Sequence, residues 1–478
     1  MEADSFYYDI MKGVLLLDQC NRFLGGNSMS RFRFIHASDI HLGSMLHMEG
    51  VEDTALLQHC REATYTAFDR VCKAAIDTNA RFIVIAGDLY DKESRSVKAN
   101  RYFAEACQKL NDSGIKVFIS AGNHDPIKEY QELFSLPTNV HLFSANEPEV
   151  CNVLDGDHII ARVIGQSYQT KWQQEAIHRN FPTLDDNIFN AAMLHTQLVP
   201  NDKKYVPCTV SELLENQSIN YWALGHIHQQ IILRQDKPVI AYSGIPQGRD
   251  FEEEGPNGCW LVEVDGTEVI DMKFISTSSV IYKRIEIDIA DEAIRDADSI
   301  NLLEDYIVSC AQDLLYKPPF ISNAKADSNF AVNGIVDGYV VKWIISGRGN
   351  LHHYLNSDQQ MDDLGLCEAL RSRLCDLVPF IWTDSVIIRT SSPVTENMLA
   401  EHAVLNGLLG QSVDSCIVDE IKRENLISKL GQFWTTSEDH EEQDDLKLTL
   451  DQETLKAIIQ DAKQLLLESL AEGGRIRA

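Results

Sequence analysis

At 478 residues with 44% hydrophobic side chains, the chain is long enough for a full core and for two or three domains. No apolar run reaches the length needed to span a bilayer, and the first residues lack a charged region followed by an apolar stretch and cleavage site, so a cytoplasmic protein with no membrane partner is expected. The formal net charge of −30 works against simple electrostatic capture of nucleic acid, and the 11 scattered cysteines, with no CxxC pair, read as core hydrophobes rather than a zinc ribbon or disulfide framework.

Residues 1–28 show no apolar periodicity that could pack on a sheet, and Met29 directly precedes the first convincing strand, so this segment reads as an extension upstream of the start proper. From Arg31 to about Val264, short apolar runs alternate with helical patterns, the rhythm of an α/β domain. Phe32 to Ala37, Arg81 to Ala86, Ile115 to Ser120, Ile188 to Leu194, Ile219 to Leu224 and Cys259 to Val264 are predicted strands. Between them, Phe68, Val71, Cys72 and Ala75 recur at helical spacing, as do Ala99, Tyr102, Phe103, Ala106, Cys107 and Leu110. A second unit starts near Val280, with strands at Lys283 to Ile289, Tyr339 to Ile345 and Ser385 to Arg389 and a helix around Leu302 to Leu315. Past Pro393 the pattern turns helical, broken by the acidic stretch Ser437 to Asp445 and ending in a helix at Asp451 to Leu470. The charge concentrates in that stretch and in Asp250 to Glu254.

Five short motifs follow predicted strands: Asp39-Ile-His41, Gly87-Asp88, Gly122-Asn123-His124-Asp125, His195 and Gly225-His226-Ile227-His228. Strand ends are where α/β sheets place ligands, since separate strands deliver side chains to one crevice there. Carboxylate, imidazole and carboxamide make a mixed N/O donor set suited to Mn²⁺, Fe²⁺ or Zn²⁺. Taken singly, each piece has an ordinary explanation: a turn carboxylate, a surface imidazole, a satisfied core histidine. Chance placement of all five at strand ends of one domain is improbable.

In order and type, these motifs resemble the calcineurin-like metallophosphoesterase superfamily, whose pattern runs DxH, GDxxD, GNHD or GNHE, H, GHxH. The resemblance implies a two-sheet α/β sandwich flanked by helices over 29–279, a small α+β capping domain over 280–392 and a helical C-terminal region over 393–478. It also implies two divalent cations, manganese foremost and iron, zinc or magnesium as alternatives. Asp39, His41 and His228 would bind the first, Asn123, His195 and His226 the second, with Asp88 between them. His124 would stabilise charge at the scissile phosphate or protonate the leaving oxygen, and Asp91 would orient it, although Asp91 reads equally well as a helix-entry carboxylate before Lys92. His36 reads as a core residue.

The segments Ile35 to Gly43 and Tyr242 to Phe251, with Gly255 to Cys259, resemble the SbcD and YhaO type of repair exonuclease. Gly244-Ile245 and Arg249-Asp250 stand where that type has Gly-Asn and Arg-His, so a contact near the site differs. This resemblance implies phosphodiester hydrolysis, DNA as substrate, an SMC-like coiled-coil ATPase (the SbcC type) as partner, with residues 446–470 gripping it, and room for a homodimer. Two alternatives remain open: a metallophosphoesterase acting on a small phosphoester or cyclic nucleotide, and a catalytically quiet regulatory subunit of an ATPase. No P-loop, Gly-x-Ser-x-Gly turn or Rossmann fingerprint is present.

Overall fold

The computed structural model describes residues 31–91, 94–129, 135–185, 187–198, 204–316, 336–356, 363–374 and 376–393, with isolated short stretches beyond 406. The expected extension at 1–28 and the acidic stretch at 437–445 lie outside the described residues, as does most of the helix expected at 451–470.

Along the chain come β1 (Arg31–Ala37), β2 (Phe82–Ala86), β3 (Lys116–Ser120), β4 (Val140–Leu142), β5 (Glu149–Asp155), β6 (His158–Gly165), β7 (Phe189–His195), β8 (Tyr221–Gly225), β9 (Ile231–Arg234), β10 (Val239–Tyr242), β11 (Gly258–Asp265) and β12 (Glu268–Ser276). They form two mixed six-stranded sheets, ordered β12-β11-β1-β2-β3-β4 and β5-β6-β7-β8-β10-β9. Four strands run parallel in each, β1 to β4 in the first and β6, β7, β8 and β10 in the second. Antiparallel strands complete the edges.

Side-chain alternation decides what each face buries. On β1, Phe32 and Phe34 join the core between the sheets, while Ile35 and Ala37 join the core under the helices. On β2, Phe82, Val84 and Ala86 take the first side and Ile83 and Ile85 the second. Burial on both faces explains why these strands read as continuous apolar runs. Between the sheets, Phe34 stacks on Phe82 at 4.8 Å between centroids and meets Tyr221 edge-on at 5.3 Å. Each buried ring of this kind contributes about 1.5–3 kcal/mol.

Helices α1 (Thr54–Asp77) and α2 (Val97–Asp112) pack on the first sheet. Asp53 caps α1 by accepting from the N–H groups of Ala55 and Leu56 at 2.8 and 3.0 Å, and Ser96 caps α2 from Ala99 at 3.1 Å. Of the stripe Ala99, Tyr102, Phe103, Ala106, Cys107 and Leu110, all are buried except the half-buried Tyr102. Between β7 and β8 stands a four-residue helix, α3 (Val210–Leu213).

Of the twelve strands of the two large sheets, six were not predicted: β4, β5, β6, β9, β10 and β12. Two of them, β5 and β12, are half-exposed edge strands whose burial does not alternate cleanly.

The chain divides into two compact units, one built from residues up to Ile285 with Val308–Trp343 and Cys367–Val386, the other from Glu286–Ile307, Ile344–Leu366 and residues from Ile387 onward. Strands β13 (Val280–Asp288), β14 (Gly338–Arg348) and β15 (Phe380–Ser391) form a three-stranded sheet in that order. Further helices are α4 (Ile300–Tyr316), α5 (Leu351–Asn356) and α6 (Asp363–Leu374). No described helix is long and apolar enough to cross a membrane.

Candidate metal centre

The loops leaving the carboxyl ends of β1, β2, β3, β7 and β8 meet at one rim of the sandwich. The loops after β1 and β2 are zipped together, with Asp39, His41 and Leu42 donating their N–H groups to the carbonyls of Gly87, Asp88 and Leu89 at 3.0, 3.1 and 2.9 Å. Asp125 ties in the loop after β3, accepting from Gly122 at 2.8 Å on one oxygen and from Leu89 and Tyr90 at 2.8 and 3.2 Å on the other. The backbone here is strained. Asp39, His41, Asp88 and His226 have φ of 50°, 45°, 51° and 96°, a region that side chains disfavour by on the order of 1–3 kcal/mol and that clusters at functional sites.

Two glycines allow the approach. A Cβ on Gly87 would stand 2.1 Å from His195 Nδ1, and one on Gly225 would stand 1.8 Å from the Ala86 carbonyl oxygen. Any larger residue at either position would wedge the strand ends apart.

The side chains form two adjoining groups that share Asp39. Ligand atoms of Asp39, His41 and His228 lie within 4.8 Å of one another, as do those of Asp39, Asp88 and His195. Asn123 Oδ1 is 2.9 Å from His195 Nε2 and 3.0 Å from His226 Nδ1, and those two nitrogens are 3.3 Å apart. His195 donates Nδ1–H to the Ala86 carbonyl at 2.9 Å, which turns Nε2 toward Asn123 Oδ1 and toward Asp88 Oδ2 at 3.3 Å. Burial pushes the ring down, but the Asp88 charge holds it up at about 9, so Nε2 carries a proton at the point where a cation would take its place. His41 repeats the pattern: Nδ1 meets Asp91 Oδ1 at 2.8 Å, and the buried Nε2 has no hydrogen-bond partner. In His228, Nδ1 meets Glu253 Oε1 at 2.6 Å while Nε2 lies 3.6 Å from Asp39 Oδ1.

Ring nitrogens converging on one space, with His195, His41 and His228 each oriented from behind by a carbonyl or carboxylate, is the arrangement a divalent cation requires. The residues therefore fit one. Their electrostatics agree. Burial pushes Asp88 up, but the His195 charge outweighs it and holds the carboxyl down at about 2. Burial pushes His228 down, yet Asp39 and Glu253 hold it up at about 10. A field that retains a proton so firmly also favours a metal ion.

His124 and Asp91 stand at the rim. The His124 side chain is 43% exposed, and its Nδ1 meets Asp91 Oδ1 at 2.7 Å. That hydrogen bond raises His124 above the usual histidine value, against the opposing effect of burial. Asp91 is shared: it also accepts from Ser44 and from Arg249 at 3.1 Å.

All nine sequence-predicted site residues therefore lie in this region. His36 does not; it is buried between the sheets, 2.9 Å from the Tyr221 hydroxyl and 3.1 Å from the Leu224 carbonyl, and burial pushes it down to about 3. Asp125 and Arg249 stand in the sequence motifs without an assigned role, and Glu253 is singled out by none of them. Glu253 falls in the acidic patch Asp250 to Glu254, yet its side chain is 7% exposed and paired with both His228 and Arg249.

Residues 32–230 match the calcineurin-like phosphoesterase family. They form a calcineurin-like phosphoesterase domain. The chain is 28% identical over 332 residues to the uncharacterized metallophosphoesterase YhaO of Bacillus subtilis, covering 69% of this chain and 78% of that protein. It is also 28% identical over 250 residues to the DNA double-strand break repair protein Mre11 of Methanocaldococcus jannaschii, covering 49% of this chain and 63% of that one. Among solved structures, a dimetal phosphatase from Danio rerio aligns over 52% of this chain at 11% identity with a TM-score of 0.30. A domain of this family implies metal-dependent phosphoester hydrolysis.

Proposed function

We propose that Asp39, His41 and His228 hold one divalent cation, that Asn123, His195 and His226 hold a second, and that Asp88 lies between them, with manganese foremost. The observation that carries this is the buried, orphaned His41 Nε2 in a ring grouped with Asp39 and His228, beside the adjoining group of Asp39, Asp88 and His195. Such a pair, when bound, supplies Lewis-acid charge and an acidified water for in-line attack on phosphorus.

The chain's own side chains do the rest. Asp91 engages His124 Nδ1 and leaves Nε2 to donate a proton to the leaving oxygen. Its second bond, to His41, links the orientation of the proton donor to that of a ligand. Glu253 orients His228 in the same way, and Asp125 keeps the Asn123 and Asp88 loops in register.

The substrate we propose is DNA, degraded as an exonuclease subunit in repair alongside an SMC-like coiled-coil ATPase. Support comes from the coverage of YhaO and from several relatives named as DNA double-strand break repair proteins. We assign catalysis to 29–279, a capping domain to 280–392 and partner binding to the region beyond 393. The net charge of −30 favours a second reading, a small phosphoester as substrate. Incubation with single-stranded DNA, duplex ends and a nitrophenyl phosphodiester in Mn²⁺ separates the two. Digestion of DNA that stops with chelator and in His124→Ala is expected. Cleavage of the nitrophenyl ester with DNA left intact would overturn the nuclease assignment.

A further inference from the structure

A second group of metal-type side chains lies away from this centre. His178 stands in the 3-10 turn Ile177–Asn180, Cys208 in the loop leading into α3, and Glu212 within α3; one ligand atom of each lies within 4.8 Å of the others. They adjoin the apolar cluster formed by Ile177, Val206, Leu213 and Trp222 on the face of the second sheet turned away from the first.

His178 is the residue that asks for a ligand. It is 5% exposed, and neither ring nitrogen has a hydrogen-bond partner. Buried polar groups are normally satisfied, and an imidazole with both nitrogens unpaired is an exception that needs a cause. Cys208 is also buried, and its thiol makes a long contact of 3.5 Å with the Thr209 carbonyl. Glu212 is anchored from behind. One oxygen accepts from the Thr209 N–H at 2.8 Å and from its hydroxyl at 3.1 Å, and the other pairs with Arg179. Contacts of this kind orient metal-binding carboxylates.

We propose that His178, Cys208 and Glu212 form a separate site for one Zn²⁺ or similar borderline cation, with water as the fourth ligand. One nitrogen, one sulfur and one oxygen suit such an ion, which needs no particular d-electron geometry. On binding, the Cys208 S–H bond breaks, its proton passes to solvent and the sulfur's electron pair goes to the cation. Thiolate and carboxylate together then neutralise the ion's two charges. Burial favours the neutral, ligating form of the His178 imidazole but also pushes the Cys208 thiol up to about 12, so the cation itself must displace the thiol proton. The site would clip the turn before β7 to the loop after it. That loop carries Tyr205, whose ring centroid lies 4.5 Å from that of His226, so the clip fixes one wall of the metal centre.

Sulfur distinguishes this site from the main centre, whose donors are nitrogen and oxygen alone. Cobalt titration of the full chain should produce a near-ultraviolet thiolate-to-cobalt charge-transfer band. The band should vanish in Cys208→Ser, weaken by about tenfold in apparent affinity in His178→Gln and persist in Asp88→Asn. No band in the unaltered protein, or a band that survives Cys208→Ser, overturns the site. X-ray absorption on the zinc-loaded unaltered protein needs no variant to fold: a sulfur shell is expected, and a purely nitrogen and oxygen shell overturns the proposal.

Discussion

The two flanks of the metal centre are braced by different means. On the His195 and His226 flank, backbone does the bracing: the Ala86 carbonyl fixes the His195 ring, and strand ends pack against each other through Gly87 and Gly225. On the His41 and His228 flank, carboxylates do it. Asp91 holds His41, Glu253 holds His228, and Arg249 joins the two carboxylates at 3.1 and 2.9 Å. A backbone brace is set by packing and is indifferent to ionisation. A carboxylate brace depends on charge, so its strength can be altered without disturbing the core.

Asp88, which we propose lies between the two cations, gives the largest expected effect. Asp88→Asn keeps the shape but removes the negative charge that two cations would share, so metal analysis should show both equivalents depleted and turnover at background. Two full equivalents in the mutant would remove Asp88 from its bridging role. His124→Ala comes next, since His124 touches neither brace except through Asp91. It should lose about 10²- to 10⁴-fold in turnover with metal content unchanged, because only proton transfer is removed. Parallel loss of metal would make His124 a ligand.

The legibility of the site in the sequence follows the same division. The backbone-braced flank is written in adjacent letters: Gly-Asp, Gly-Asn-His and Gly-His-x-His each set a glycine, which admits a neighbouring strand end, directly before a site residue. The carboxylate brace is spread over distant positions. Asp91 lies 158 residues from Arg249, and Glu253 sits in an acidic run whose composition suggests only solvation. Strands show the same contrast. Doubly buried β1, β2 and β7 announce themselves as apolar runs, whereas edge strands β5 and β12 are half-exposed and mixed. Their hairpin turns at Gly156 and Gly266, both with positive φ, carried a signal that the apolar pattern alone overlooks.

A matched pair of substitutions tests whether the braces differ in kind. Gly87→Ala drives a methyl into His195 at a position with φ of 93°, so it should destabilise the fold by about 1–3 kcal/mol, read as a lower melting temperature in metal-free protein. Glu253→Gln removes a charge without adding bulk. It should weaken metal affinity by about 10- to 100-fold, and its melting temperature should fall less than that of Gly87→Ala. Equal thermal shifts in the two variants would show that both braces are structural and erase the distinction.

The smallest effect expected is a shift in pH dependence, and it isolates the carboxylate brace most cleanly. The Asp91 hydrogen bond is the main influence raising His124; burial opposes it, the charges of Asp88 and Asp91 add to it, and Arg249 works against it. Asp91→Asn removes the charge and leaves Arg249 unopposed at that point, so the His124 value must fall. A histidine that donates a proton works only below its own pKa, so lowering that value makes activity decline sooner as pH rises. The high-pH limb of the kcat profile should therefore move to lower pH, with the low-pH limb and the plateau nearly preserved. Because Asp91 also holds His41, metal content is measured alongside at each pH. A limb that stays in place at full metal occupancy would mean that His124 acts through position alone and that the proton for the leaving oxygen comes from elsewhere.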